Sequence, residues 1–183
     1  LSALPRLGRA LRDAGRMDDA DAAFTEAIER GQVVGARLVV ADASLARAEL
    51  RFQPALISRD DIVGELERAL PVLRKSGDDA ALARALGLGG RLRFWRGHAL
   101  DAGEDLWQAA LLARGAGARS EEAESLQGVL GTILHGPMSA SDGLNRIEEM
   151  RPRAARNGRL ETSLLYIEGS LAAMHADVDR ARS

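Results

Sequence analysis

Leu4–Ala27, LPRLGRALRDAGRMDDADAAFTEA, is the stretch whose reading decides the fold. Leu7, Gly8 and Leu11 fall on one helix face at i, i+1 and i+4, and Ala20, Phe24 and Ala27 on one face of a following helix at i, i+4 and i+7. Gly15 stands between the two sets, where a helix C-cap needs a residue that tolerates positive φ. A glycine and two alanines facing a leucine and a phenylalanine let two backbones approach closely, with the large side chains filling the remaining gap. One such pair cannot bury both of its faces, so it needs copies of itself as neighbours.

Looser copies follow. The Ala20 position recurs as Ile62, Ala102, Gly143 and Ala181, the Phe24 position as Leu66, Leu106 and Ile147, and the Ala27 position as Ala69, Ala109 and Met150. Leu7-Gly8 returns as Leu88-Gly89 and Leu130-Gly131, and as Glu168-Gly169 in the last copy; in the second copy either Ala46 or Ala48 serves. Glycines at Gly77, Gly97, Gly117, Gly136 and Gly158 mark the turns, and Ser58, Asp78 and Ser120 stand as caps before first turns. The pattern predicts nine helices, at 2–14, 17–30, 34–52, 59–76, 79–96, 100–115, 120–135, 141–156 and 159–175. Pro71 and Pro152 lie inside predicted helices, which they should bend or break unless those helices end early; Pro5 suits a first turn. The expected domain is a single one over 1–183, with repeats at about 1–32, 33–77, 78–117, 118–158 and a truncated 159–183.

With Leu4, Leu7-Gly8, Leu11, Ala20, Phe24 and Ala27 in these places, the chain resembles the tetratricopeptide-repeat family. It departs from the family pattern at Leu4 and Leu11, where tryptophan and tyrosine are usual, and it lacks a unit-ending proline. The resemblance implies an all-α, right-handed superhelical solenoid of antiparallel helix hairpins, about four and a half repeats of about 40 residues. The long period, with extra residues in Phe52–Arg59 and His135–Asp142, is similar to the helical regions of MalT-like transcription activators and cyclase-linked signalling ATPases.

Composition limits what such a scaffold can do. The chain has 183 residues, 46% hydrophobic and 28% charged, and a net charge of −2, so no general attraction to nucleic acid or membrane is expected. Aromatics are only 3%, which disfavours a sandwich or barrel. Cysteine is absent, excluding disulfides and thiolate chemistry and fitting a cytoplasmic setting. Lys75 is the only lysine, and arginine carries nearly all the positive charge. No apolar run approaches the roughly 20 residues of a membrane helix; Val33–Ala41 comes nearest, interrupted by Arg37. The start at Leu1 and the end inside a repeat suggest a fragment of a longer protein.

Catalytic motifs are missing: there is no G-x-x-x-x-G-K-S/T, G-x-S-x-G or H-E-x-x-H. Gly87-Leu88-Gly89-Gly90 is better read as close packing than as a phosphate loop. His98, His135 and His175 belong to successive turns, too far apart to share a metal. Asp18-Asp19, Asp60-Asp61 and Asp78-Asp79 sit at helix starts, where carboxylates complement the helix dipole. Trp107 reads as packing between repeats; Trp95 is as fit for a half-exposed contact as for the core. The expectation is therefore a non-enzymatic scaffold with no cofactor or metal, binding a protein or peptide partner.

The family resemblance places ligand contacts on the first helices, one and four residues after the Leu-Gly glycine. Those positions are Arg9 and Arg12, Gly90 and Arg93, Thr132 and His135, and Ser170 and Ala173, with Arg47 as a candidate in the second repeat. The early first helices are rich in arginine, which would suit an acidic peptide. The alternative is a ligand-sensing arm of an ATP-dependent bacterial regulator or cyclase. The last helix, with Leu164, Leu165, Leu171 and Met174, is expected to lack a cover and to offer a face for self-association as a homodimer.

Overall fold

The computed structural model describes residues 1–52, 58–155 and 157–174. Among them are nine helices and no strand: α1 (Ala3–Asp13), α2 (Met17–Val33), α3 (Arg37–Phe52), α4 (Arg59–Ser76), α5 (Asp79–Trp95), α6 (Ala99–Gly115), α7 (Arg119–His135), α8 (Ala140–Ala154) and α9 (Gly158–Met174). The described residues are all-α, and each expected helix is present, with the ends of α2, α3 and α8 displaced by two or three residues. The expected sites at Ala181 and His175, and most of the Phe52–Arg59 insertion, lie outside the described residues.

The turns follow the glycines, with corrections. Gly15, Gly77, Gly97 and Gly117 have φ between 69° and 87°, which an L side chain adopts only with strain. Gly35 does the same at φ 70°; it divides the apolar run Val33–Ala41, so α3 starts at Arg37 and Val33 and Val34 are left exposed. Gly136 is extended instead, and Gly158 opens α9. Ser58 forms a reciprocal capping box with Asp61, and the Asp78 carboxylate accepts the Ala81 N–H at 2.9 Å. Ser120 is no cap, because α7 begins one residue earlier; Ser139 and Asn157 cap α8 and α9 instead, accepting from Asp142 N and Leu160 N. Neither internal proline breaks its helix: α4 runs on past Pro71 to Ser76, and Pro152 falls in the last turn of α8.

Cα proximity divides the chain into two compact units, residues 1–85 and 86–183. In the first, α1 packs on α2, α2 on α3 and α3 on α4, and α1 also touches α3. Contact between alternate helices is what stacked hairpins produce. Ala20, Phe24 and Ala27 are all fully buried, with Ala46 and Leu50 against Phe24 and Ala43 against Ala27. A Cβ at Gly8 would lie under 3.0 Å from the Phe24 ring, so this glycine sets the α1–α2 approach. Leu7 does not join it: the side chain is half exposed, and Leu4 and Leu11 supply the apolar face of α1.

In the second unit, α6 packs on α7, and α9 on both α7 and α8, with a smaller contact between α7 and α8. Its core joins Leu106, Leu130, Ile133, Ile147, Leu164 and Leu171. Gly90 of α5 and Gly128 of α7 both face Leu106; a Cβ on Gly90 would lie 2.7 Å from Leu106 Cγ, so on α5 the Gly8 position is Gly90 and the Leu88-Gly89 pairing is one residue out of register. A Cβ on Gly131 would meet nothing, so that residue does not repeat the role of Gly8. Leu164 and Leu171 are buried, contrary to the expected bare face; Leu165, Tyr166 and Met174 are the exposed apolar residues of α9. The inward face is covered by α7 and α8, which lie before it in the chain.

Helix positions recur at 82 residues. α2 and α6 begin at 17 and 99 and end at 33 and 115; α3 and α7 begin at 37 and 119; and Gly15 and Gly35 return as Gly97 and Gly117. Two hairpins, about twice the expected repeat, are thus the unit that recurs most faithfully.

Candidate functional site

The arginines expected to line a ligand groove are mostly engaged within the protein. Arg9 of α1 and Arg84 of α5 both bind Asp42 of α3, each at 3.0 Å, so one half-buried carboxylate ties three first helices together. Arg12 lies 3.0 Å from Asp13 and 3.6 Å from Glu49, and Arg93 pairs with Asp105 at 2.9 Å. Arg51 grips both oxygens of Asp21, at 2.6 and 2.7 Å. That bidentate bond holds the Asp21 carboxyl below its ordinary value and raises Arg51. Thr132 is buried against Gly103, its hydroxyl donating to Val129 O at 2.8 Å, and presents no surface to a ligand. His135 ends α7 and is exposed, as is His98 before α6.

Arg47 is placed differently. Its guanidinium donates to the Thr25 hydroxyl at 3.3 Å, and the nearby Asp21 is already held by Arg51. It lines a cleft of about 600 Å³ between α2 and α4, floored by α3. Ile28, Val40, Ala41, Ala69 and Val72 make the apolar floor and walls; Gly31 and Gly35 also line the cleft, and a Cβ on Gly31 would lie 2.8 Å from the Val40 side chain. Arg37, Arg47, Arg68, Gln32, Ser44 and Glu65 supply the polar rim. Glu65 answers Arg68 at 2.9 Å, whereas Arg37 has no carboxylate partner among the described residues. The cleft therefore carries an excess of positive charge over an apolar bed. Such a surface is chemically matched to an anionic group attached to an apolar body.

The second unit has a counterpart 82 residues on, where Arg119, Glu122, Ala123 and Leu126 take the places of Arg37, Val40, Ala41 and Ser44. This pocket is only about 200 Å³. Beside it the half-buried Trp107 of α6 is clamped by two arginines of α8, with the Arg146 and Arg153 guanidiniums 4.7 and 4.4 Å from the ring centroid. Trp107 thus packs between repeats, as expected, while Trp95 is 65% exposed beside Phe94.

Among the described residues no group of three or more histidine, aspartate or glutamate side chains could hold a metal, and no helix is long and apolar enough to cross a membrane. Gly87–Gly90 lies buried within α5, where Gly87 and Gly90 accommodate Ser125 and Leu106. No protein-family model matches the chain, and neither does any curated protein.

Of the residues lining the cleft, the sequence singled out Arg47 as a ligand contact and counted Arg37 only among the arginines of the early first helices; Ser44 and Arg68 were not singled out. The available signal was the comparison of Thr25 with Trp107, which stand at one position of the recurring helix.

Proposed function

We propose that the chain is a non-catalytic interaction module, a tetratricopeptide-like solenoid of helix hairpins, which binds an acidic peptide segment of a partner protein. The observation that carries this reading is the α2–α3–α4 cleft, where, among the described residues, Arg37 and Arg47 have no carboxylate at ion-pair distance over an apolar floor. The rim is set by packed helices, so little ordering cost falls on the scaffold. The first-helix face is a weaker candidate, since its arginines are already neutralised by Asp42, Glu49 and Asp105.

The test is isothermal titration of glutamate-rich peptides carrying interspersed apolar residues into the protein and its Arg37→Glu/Arg47→Glu double variant. Loss of two charge-assisted contacts should weaken binding at least about tenfold. Equal binding by the variant removes the cleft from the reading, and absence of binding by the native protein rejects the acidic-peptide reading.

The volume of the cleft favours one second reading. At about 600 Å³ it lies within the range of small-molecule sites. A ligand-sensing arm of a larger regulator would use it for a small carboxylate with an apolar tail. Saturable binding of such a compound, with no binding of peptides, would favour the sensor.

A further inference from the structure

We infer that the α2–α3–α4 cleft accepts an aromatic side chain of the acidic partner, in the manner that the chain's own Trp107 occupies the corresponding seam of the second unit. The inference rests on the acidic-peptide reading and adds the residue that anchors it.

The two seams can be compared position by position. Phe24 and Leu106 are the buried residues of α2 and α6, and the residues that follow them are Thr25 and Trp107. Ile62, Leu66, Ala69 and Leu73 of α4 match Gly143, Ile147, Met150 and Ala154 of α8, all eight buried. In that register Glu65 and Val72 stand where Arg146 and Arg153 clamp the tryptophan, and both line the cleft. The first unit lacks the ring, and the cleft beside Thr25, lined by Arg47, Glu65 and Val72, measures about 600 Å³, against about 200 Å³ for the pocket lined by Arg153 beside Trp107.

Cations stand ready around that space. Arg47 reaches over Thr25 from α3, and Arg37 and Arg68 complete the rim. A planar ring entering over Ile28 and Ala69 would be covered by guanidinium groups, an arrangement already present around Trp107. The excess positive charge selects acidic flanks on the peptide, and a deep aromatic anchor is the contact that dominates such interfaces.

The experiment uses three dye-labelled synthetic peptides read by fluorescence anisotropy: tryptophan flanked by glutamates, the same peptide with tryptophan replaced by alanine, and the same with lysine flanks. The glutamate–tryptophan peptide should bind at least about tenfold more tightly than either of the others. A Thr25→Trp variant, which supplies the ring internally, should lose that binding while its helical circular dichroism stays intact. Should it misfold, Arg37→Glu provides the second variant, with binding weakened and melting temperature unmoved. Equal affinity of the tryptophan and alanine peptides overturns the aromatic anchor and leaves the acidic-peptide reading standing. No binding by either glutamate peptide overturns both.

Discussion

At the scale of single residues, two glycines of the same sequence position prove to have different roles. Gly8 admits the Phe24 ring, whereas Gly131, also the glycine of a Leu-Gly pair, faces open space. Gly8→Ala should destabilise the protein by about 1–3 kcal/mol, since the added methyl meets a fully buried ring with no room to retreat. Gly131→Ala should be neutral or stabilising by up to about 1 kcal/mol through helix propensity; urea melts of the two variants check both. Asp21 gives a pH prediction. Its folded pKa is depressed by Arg51, so its contribution to stability is present above the ordinary carboxylate value, near 3.8, and is lost as pH falls through the lower folded value. Asp21→Asn should therefore flatten the stability profile below about pH 4, which chemical denaturation across that range would measure.

At the scale of elements, the seam between α6 and α8 depends on Trp107. Trp107→Ala removes a large half-buried ring and two cation–π contacts, and should destabilise the chain by about 3 kcal/mol. Hydrogen exchange should show the added opening concentrated in α6–α9, because stacked hairpins lean chiefly on their neighbours. Helix existence was legible in the sequence because buried positions such as Ala20, Phe24 and Ala27 recur with helical spacing and glycines punctuate them. Register was harder to read. Gly89 and Gly90 are adjacent, and only the contact with Leu106 shows which one faces the next helix. Gly35 escaped notice because an apolar run surrounds it, although a positive φ turned the chain there. The pairing of the groove arginines was hidden for a related reason: position in a repeat says where an arginine points, but not that Asp42 lies between Arg9 and Arg84.

At the scale of the whole molecule, a recurrence at 82 residues produces two versions of one structure, with the seam filled in one and open in the other. Filling a seam internally serves stability, and under the proposed function the open seam is where the partner's segment binds. Occupation of the open seam should raise the melting temperature, with about 2.7 kcal/mol of added stability at a peptide concentration of 100 times Kd. The most direct measurement is amide chemical-shift mapping during titration with the glutamate–tryptophan peptide. Shifts should gather at Ile28, Gly31, Arg37, Ala41, Arg47 and Ala69, around the α2–α3–α4 cleft. Shifts gathered instead at Arg9, Arg12 and Arg93, with the cleft residues unmoved, would contradict the assignment of binding to the cleft and return it to the first-helix face.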